Sequence, residues 1–245
     1  MSVPRFHVPR AAPGARVELP EHVAHHAREV LRLRAGAEVH VFDGAGHEWH
    51  AVLDEVSRRS VSARMLQAVA ARAESPLRLV LAMAALKGDR MELVLQKATE
   101  LGVAEIWPVV TFRTDAAARP ALEGSRAERW ERVASGAAEQ CGRAHVPRLA
   151  PTTTLHGLIE RPFDGRRIAL LETPGHAPLS SLPLDNTSPL LLLVGPAGGF
   201  EPGEADELRA AGFVSASLGP RILRAETAAV AAIAIAQSRW GDLAP

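Results

Sequence analysis

The chain has 245 residues, and 47% of them are hydrophobic, which is enough to build a substantial core. Lysine plus arginine and aspartate plus glutamate are equal at 28 each, so the overall charge does not indicate a nucleic-acid partner. One cysteine, Cys141, excludes a disulfide framework, and no apolar segment resembles a signal peptide or reaches the length of a membrane span, so we expect a cytoplasmic protein with no membrane partner.

Residues 1–73 predict a small β-rich domain that contains one helix. The helix is expected over Glu21–Leu33, where apolar residues recur at helical spacing, and Gly36 follows its end. The dipeptide Asp43-Gly44 is typical of a hairpin turn. The strands around and after this turn are expected at Glu38–Phe42, His47–Val56 and Val61–Leu66, and the alanine-rich segment Ala70–Pro76 is expected to be a linker.

Residues 74–245 predict a second domain in which strands and helices alternate. The strands are apolar almost throughout, which favours burial on both faces of a largely parallel sheet. The strands are expected at Leu77–Ala84, Glu105–Val110, Arg167–Leu171, Leu190–Val194 and Ala216–Leu218, and the helices at 91–101, Ser125–Cys141, 203–211 and Ala228–Ala236. The last helix is apolar all round, so it is either a central core helix or part of a dimer interface.

A glycine-rich loop, Gly195-Pro-Ala-Gly-Gly199, follows the strand Leu190–Val194 and precedes a helix. Open α/β sheets bind ligands at this position, and small residues let a ligand reach the bare backbone. The loop matches neither the dinucleotide motif nor the Walker phosphate motif. Glu201 and Glu204 add negative charge to the start of the next helix, so a ligand here should be neutral or cationic. The alternative is a tight turn that merely needs glycine.

Arg221, Arg224 and Glu226 lie close together between the last short strand and the last helix. Such charges most often form a salt-bridge cluster on the surface. However, Ile222 and Leu223 lie between the two arginines and would need burial, so the alternating pattern favours a shaped pocket. We therefore expect this loop and the glycine-rich loop to be two walls of one ligand pocket.

Other reactive residues give weaker signals. His22 and His26 have a spacing that suits zinc, but no further ligands accompany them, so no metal site is predicted. Cys141 lies at a helix end and is more typical of an inert packing residue than of a nucleophile. Lys87 and Arg113 each follow a strand, where they are placed to present positive charge to a polyanion.

Two segments of the chain together resemble the SPOUT, or trefoil-knot, methyltransferases. They are Leu192–Glu201, which reads LLVGPAGGFE, and Leu218–Ala228, which reads LGPRILRAETA. Among these enzymes the match is to the 16S rRNA uridine-N3 methyltransferase family, the RsmE type. Three more segments fit that family in chain order, namely Pro4-Arg5-Phe6, Gln96–Gly102 with Pro108 and Arg113 after it, and Glu139–Arg143 with Val146-Pro147. The resemblance covers the chain from end to end.

The resemblance implies a PUA-like RNA-binding β-barrel over 1–73, an α/β SPOUT domain with a deep trefoil knot over 74–245, and a homodimer. It also implies S-adenosylmethionine as the methyl donor, and N3 of a specific uridine in 16S rRNA, within the 30S subunit, as the acceptor. The donor is expected to contact Leu171, Glu172, Gly195, Pro196, Gly198, Gly199, Leu218, Gly219, Ile222 and Leu223. Arg221 and Arg224 are expected to stabilise charge on the uracil or to grip the nucleotide, and Glu226 to position them or to take the proton.

RNA contacts are expected from basic side chains in both domains, namely Arg5, His7, Arg28, Arg32, Lys87, Arg113 and Arg143. The chain departs from the family at Ala197, where the usual loop has a glutamate, so the role of that glutamate is either lost or taken by a neighbour such as Glu201. Two alternatives stay open, namely a SPOUT enzyme with another RNA target and a non-catalytic RNA-binding ribosome-assembly protein. The Asn-x-Gly pattern of the ribose methylases is missing around the one asparagine, Asn186, which favours a base as the target.

Overall fold

The computed structural model of the chain describes residues 3–9, 11–115, 125–183 and 188–243, so Asn186 lies outside the described residues. Residue contacts divide the chain into two compact units. The first unit combines Met1–Ala73 with Ser135–Val146, and the second combines Glu74–Ala134 with Pro147–Pro245. The domains predicted from the sequence are contiguous, and they assign the returning segment Ser135–Val146 to the second domain.

The first unit is built on a five-stranded sheet with the order β1-β3-β4-β5-β2. Its strands are β1 (Arg5–His7), β2 (Arg16–Glu18), β3 (Glu38–Phe42), β4 (Glu48–Val56) and β5 (Val61–Val69). The β1–β3 pair is parallel and the other pairs are antiparallel. The register shifts twice between β4 and β5, and such bulges increase the local bend and twist of a sheet.

The predicted strands and hairpin of this unit are confirmed. Asp43 fixes the turn between β3 and β4, because its carboxylate accepts hydrogen bonds from the backbone N–H groups of Ala45 (2.8 Å) and His47 (3.1 Å). The helix expected over Glu21–Leu33 is shorter than predicted. Helix α1 (Glu21–His25) continues only as a π-helical turn over His26–Val30.

Arg5 and Glu48 form an ion pair in which Nη2 of the arginine lies 2.8 Å from the carboxylate. Both side chains are largely buried, and His40 lies 2.8 Å from the other carboxylate oxygen of Glu48. Burial raises the pKa of the Glu48 carboxyl, but the hydrogen bonds from Arg5 and His40 outweigh it, so the pKa lies below its usual value. The guanidinium of Arg5 also donates to backbone carbonyls of the returning segment, at Ala138, Glu139 and Arg143.

The second unit is built on an eight-stranded sheet with the order β11-β13-β10-β12-β6-β7-β8, in which β9 also pairs with β7. All pairs among its described strands are parallel. The strands are β6 (Leu79–Ala84), β7 (Glu105–Val110), β8 (Arg148–Leu149), β9 (Thr153–Thr154), β10 (Arg166–Leu170), β11 (Ala177–Pro178), β12 (Leu190–Val194) and β13 (Val214–Ser217). The helices are α2 (Asp89–Glu100), α3 (Ser125–Cys141), α4 (Leu155–Glu160), α5 (Pro202–Ala210) and α6 (Ala225–Trp240), with a 3-10 turn at Leu179–Ser181.

Both faces of this sheet are covered, as the apolar strands predict. Leu79, Leu81 and Met83 of β6 face a core that includes residues of α2 and α6. Val80 and Ala82, which alternate with them, face a second core that includes residues of α4 and α5. The predicted α/β class with a largely parallel sheet is confirmed. The short elements β1, β2, β8, β9, β11 and α4 have no counterpart in the prediction, because runs this short show no clear periodicity.

Helix α6 packs in the core of the second unit. Its buried face carries Ala229, Ile233 and Trp240, and the side chain of Gln237 is also completely buried. Both ends of the Gln237 amide are bonded, since its oxygen accepts a hydrogen bond from Ser75 Oγ (2.7 Å) and its nitrogen donates one to the carbonyl oxygen at 101 (2.8 Å). Within the described ranges, no helix is long and apolar enough to cross a membrane.

Candidate functional site

One cavity of about 400 Å³ lies at the carboxyl ends of three neighbouring strands of the second unit. Strands β13, β10 and β12 are adjacent and parallel, so the loops that follow them meet at the same edge of the sheet. The volume is in the usual range for small-molecule sites. The topology of the sheet therefore places a cavity beside the glycine-rich loop, which the sequence predicted to be a ligand-binding loop.

Every residue predicted to contact the methyl donor lines this cavity, from Leu171 and Glu172 to Leu223. The glycine-rich loop and the loop over 218–223 are thus two walls of one cavity, and the loop after β10 is a third. Further lining residues that the sequence did not indicate are Leu170, Thr173, Val194, Phe200, Pro202, Ala205, Asp206, Arg209, Pro220, Ala225 and Ala228.

The glycines of the first wall are required by the geometry. A Cβ atom on Gly195 would lie 2.8 Å from the ring of Phe200, which is closer than such atoms approach each other. Gly199 has φ of +70°, a conformation that side chains other than glycine rarely adopt, and its N–H donates to the carbonyl of Pro196. The loop therefore requires glycine for the tight turn that it forms. It also lines the cavity with its backbone.

Charges around the cavity are largely balanced. Arg209 lies 2.6 Å from Asp206, and Arg113 lies 2.6 Å from Glu201, so two of the lining arginines are paired with acids. The carboxylate of Glu172 lies beside Gly199, where a Cβ atom would be 3.7 Å from it. This balance suits a ligand without a strong negative charge, as the acidic start of helix α5 indicates.

The residues predicted to be catalytic lie at or beside the cavity. Arg221 lines it, whereas Arg224 and Glu226 follow at the start of helix α6, Arg224 as the N-cap and Glu226 in the first turn. The Glu226 side chain is only 12% exposed, and its carboxylate lies 4.0 Å from Nε of Arg90, which the sequence did not connect with it. No hydrogen bond or ion pair with a described residue holds the guanidinium of Arg221 or Arg224.

The predicted RNA contacts in the first unit have different environments. Arg5 is 14% exposed and pairs with Glu48, and Arg143 is buried. Arg28 donates to the backbone carbonyl of Ser57 at 3.0 Å, so its guanidinium is held on a turn of its own unit.

His7 is half-buried, and burial lowers the pKa of its imidazole, although Asp43 opposes this effect. Of this set only Arg32 is well exposed, with φ of +53°. The phosphate contacts stay a prediction for all of them.

In the second unit, Lys87 is exposed in the loop between β6 and α2. Arg113, which was also assigned to RNA, instead lies on the cavity and contacts the glycine-rich loop. Cys141 is half-buried, and its Sγ lies 3.8 Å from the carbonyl of Ala138. No group of three or more histidine, cysteine, aspartate or glutamate side chains in the described part of the chain could hold a metal ion.

The turn after β7 is the part of the site that sequence reasoning missed. Thr111 and Thr114 are buried and bond to each other, and between them Phe112 is 73% exposed. The backbone N–H of Phe112 donates to the carboxylate of Glu204 at 2.7 Å. The two threonines were the available signal, since Ser and Thr hydroxyls stabilise turns, whereas an apolar Phe112 predicts burial.

Comparison with known families agrees with the fold and the site. The model of the RNA methyltransferase domain matches residues 73–237, which is more than half of the chain. The model of the RNA methyltransferase PUA domain matches residues 19–66, within the β-sheet unit. The chain is therefore an RNA methyltransferase with an N-terminal PUA-like domain, and the predicted fold class is confirmed.

Individual relatives indicate which family of RNA methyltransferases the chain belongs to. The ribosomal RNA small subunit methyltransferase E of Synechocystis sp. is 34% identical over 90% of this chain and 72% of its own length. The enzyme of the same name from Bacillus subtilis is 32% identical over 85% of this chain and 84% of its own length. The crystal structure of the Neisseria gonorrhoeae protein of that name, bound to S-adenosylmethionine, has 33% identity and a TM-score of 0.88, covering 98% of this chain and 99% of that one. The chain belongs to the ribosomal RNA small subunit methyltransferase E family.

Proposed function

We propose that this protein transfers a methyl group from S-adenosylmethionine to N3 of a uridine in 16S rRNA. The observation that carries the proposal is the convergence of three backbone-rich loops on one cavity beside Arg221, Arg224 and Glu226. The relatives' names refer to small-subunit rRNA, and the Neisseria structure contains the donor. Uridine N3 as the acceptor atom is supported by the resemblance of the Leu218–Ala228 segment.

The cavity fits the donor in size, backbone and charge. A volume of about 400 Å³ accommodates a nucleoside with an amino-acid tail, and the loops offer backbone N–H and C=O groups that suit adenine and ribose. The Glu172 carboxylate lines the cavity and suits a cationic group, while two of the lining arginines, Arg113 and Arg209, are already paired with acids. The bound donor supplies an electrophilic methyl group, and these residues bind and orient it.

Methylation of N3 requires catalysis of proton removal, because the N3–H of uracil is a weak acid and the nitrogen must lose this proton as the new bond to the methyl group forms. A base removes the proton, or cationic donors stabilise the imide anion that develops. Arg221 and Arg224 have no other described partner to hold their guanidinium groups, so they are available to face that anion. Glu226 lies two residues further, largely buried and near Arg90, so it either positions the arginines or takes the proton.

Single-turnover methyl transfer with Arg224→Ala and Glu226→Gln tests these roles. Loss of one donor to a developing anion typically slows the chemical step by about 10²–10³-fold, which we expect for Arg224→Ala. Loss of a general base typically costs about 10²–10⁴-fold, which we expect for Glu226→Gln if it takes the proton. Ser238→Ala, on the exposed part of the same helix, is the matched control and should react normally. Near-normal rates for both variants would exclude these two residues from the chemistry.

The target atom and particle require a second assay. Wild-type protein should methylate small-subunit rRNA, as free RNA or in assembled 30S particles, and digestion followed by mass spectrometry should yield N3-methyluridine. A methylated product of another kind would instead assign the site to a different RNA target. A uridine inside a helix would have to be turned out of the stack to reach the cavity.

We further propose that the protein acts in the cytoplasm as a homodimer on the 30S subunit. The apolar residues Val230 and Ala231 of helix α6 are only half-buried, and Ile222 is 79% exposed. Both features support contact with a second copy, since large exposed apolar side chains mark interaction surfaces. Analytical ultracentrifugation should show a dimer that Ala231→Glu dissociates, and a monomeric wild-type protein would contradict the proposal.

A further inference from the structure

Arg113 lies on the turn after β7, and hydrogen bonds on either side of it hold this turn. The N–H of Thr111 donates to Oγ1 of Thr114 at 2.8 Å, the two hydroxyls are 3.0 Å apart, and both side chains are buried. The N–H of Phe112 is bound by Glu204 on helix α5. The backbone at Arg113 is therefore fixed on both sides, so its side chain starts from a defined position.

The side chain of Arg113 reaches across to the glycine-rich loop. Nη1 donates to the carbonyl of Gly198 at 2.6 Å, and Nε donates to the carboxylate of Glu201 at 2.6 Å. Its Cδ would lie 3.3 Å from a Cβ atom on Gly198, so the arginine also packs on this part of the loop. One side chain thus holds the cavity wall by a carbonyl, an ion pair and a packing contact.

The carboxylate that receives Arg113 belongs to the start of helix α5. Glu201 is the N-cap residue of that helix and forms a reciprocal capping box with Glu204. Glu204 accepts from the N–H of Glu201 at 3.0 Å with one oxygen and from the turn with the other. The side chain of Ala197 has no hydrogen-bond acceptor, and Glu201 supplies the carboxylate that Arg113 binds.

We propose that Arg113 is a positioning residue for the methyl-donor site, which it serves by fixing the Gly198–Gly199 wall through Glu201 and the Gly198 carbonyl. This inference rests on the proposed function, because it takes S-adenosylmethionine as the ligand of the cavity. It differs from the sequence-based expectation that Arg113 contacts RNA phosphate. Among the described residues, the other backbone hydrogen bond of this loop, from Gly199 N–H to the carbonyl of Pro196, lies within the loop itself, so loss of Arg113 removes a contact that ties the wall to the neighbouring turn before a ligand binds.

Calorimetric titration with S-adenosylmethionine tests the inference without any methyl transfer. The variants are Arg113→Gln and Glu201→Gln. The matched control is Arg129→Gln, which removes an arginine of helix α3 that is paired with Glu92 of helix α2. The Arg113–Glu201 pair is partly exposed to solvent, so its loss should raise the dissociation constant of the donor by about two- to fivefold in each loop variant. The double variant should be no weaker than the worse single one, since both changes break the same clamp.

A second measurement separates positioning from RNA contact. At saturating donor, KM for RNA and its salt dependence should be unchanged by Arg113→Gln. The inference is overturned if donor affinity is unchanged while KM for RNA rises, because Arg113 would then bind the acceptor. It is also overturned if Arg129→Gln weakens the donor equally. A wild-type protein that does not bind the donor at all would refute the proposed function itself, which is a different outcome.

Discussion

Gly195→Ala offers a direct measure of how tightly the cavity wall is built. The added Cβ would lie 2.8 Å from Cε2 of Phe200 and 3.2 Å from two further ring atoms. Carbon atoms in contact are normally separated by about 3.5 Å or more, so the ring must move by about 0.7 Å. Because Phe200 lines the same cavity as Gly195, this movement changes the shape of the donor site.

The cost follows from overpacking, which is typically about 1–3 kcal/mol. If this cost appears in the bound state, the donor dissociation constant rises roughly five- to hundred-fold, at 1.4 kcal/mol per factor of ten. Gly199→Ala should give a smaller loss with a different cause. Its Cβ has room, at 3.7 Å from Glu172, but φ of +70° costs about 1–2 kcal/mol for a residue with a side chain.

Calorimetric titration measures the affinity of each variant for the donor, and thermal unfolding measures the stability of each variant. Gly203→Ala is the control, because this glycine lies in helix α5, has nothing within 4 Å of its Cβ position and does not line the cavity. It should bind normally and be slightly more stable. The reasoning fails if Gly195→Ala binds the donor as tightly as the wild type, or if Gly203→Ala loses as much affinity.

Three further predictions concern stability and RNA. Burial raises the pKa of the Glu48 carboxyl, but the hydrogen bonds from Arg5 and a histidine lower the pKa by more, so the net pKa lies below its usual value of 4.5. The carboxylate therefore stabilises the fold above pH 4.5, and this stabilisation is lost as the pH falls through the lowered pKa. Denaturant unfolding followed by circular dichroism should therefore show a flatter dependence on pH below about 5 for Glu48→Gln, and an unchanged slope would contradict this. Gln237→Leu removes the partner of the half-buried Ser75 hydroxyl and of the carbonyl at 101, so it should lower the free energy of unfolding by about 1–3 kcal/mol. The exposed Ser238→Ala should change the free energy of unfolding by less than about 0.5 kcal/mol, and equal effects of the two changes would refute the assignment. For RNA, Lys87→Ala should reduce the slope of log K against log salt by about one unit, and an identical slope would exclude a phosphate contact at this residue.

Local signals were sufficient for most of the fold. Buried parallel strands such as Leu190–Val194 are continuous apolar runs, and the ends of helices α2 and α3 are marked by Gly102 and Gly142, both with positive φ. The helix expected to extend to Leu33 ends early, because a π-helical turn and a left-handed Arg32 interrupt it. Neither feature follows from the spacing of apolar residues.

The sequence alone indicated the two walls of the site, because glycines reflect the needs of the local backbone. The expected burial of Ile222 was wrong, since this side chain is 79% exposed beside the cavity. Only the tertiary structure decided which side chains are already engaged. Arg5, Arg28 and Arg113 look alike in sequence, but the first is paired with Glu48, the second holds a turn and the third holds the cavity wall. The partners of Arg5 and Arg113 lie between 43 and 138 residues away along the chain. The sequence shows that an arginine is charged. It does not show which carbonyl or carboxylate accepts its hydrogen bonds, because that partner is distant along the chain and is placed nearby only by tertiary packing.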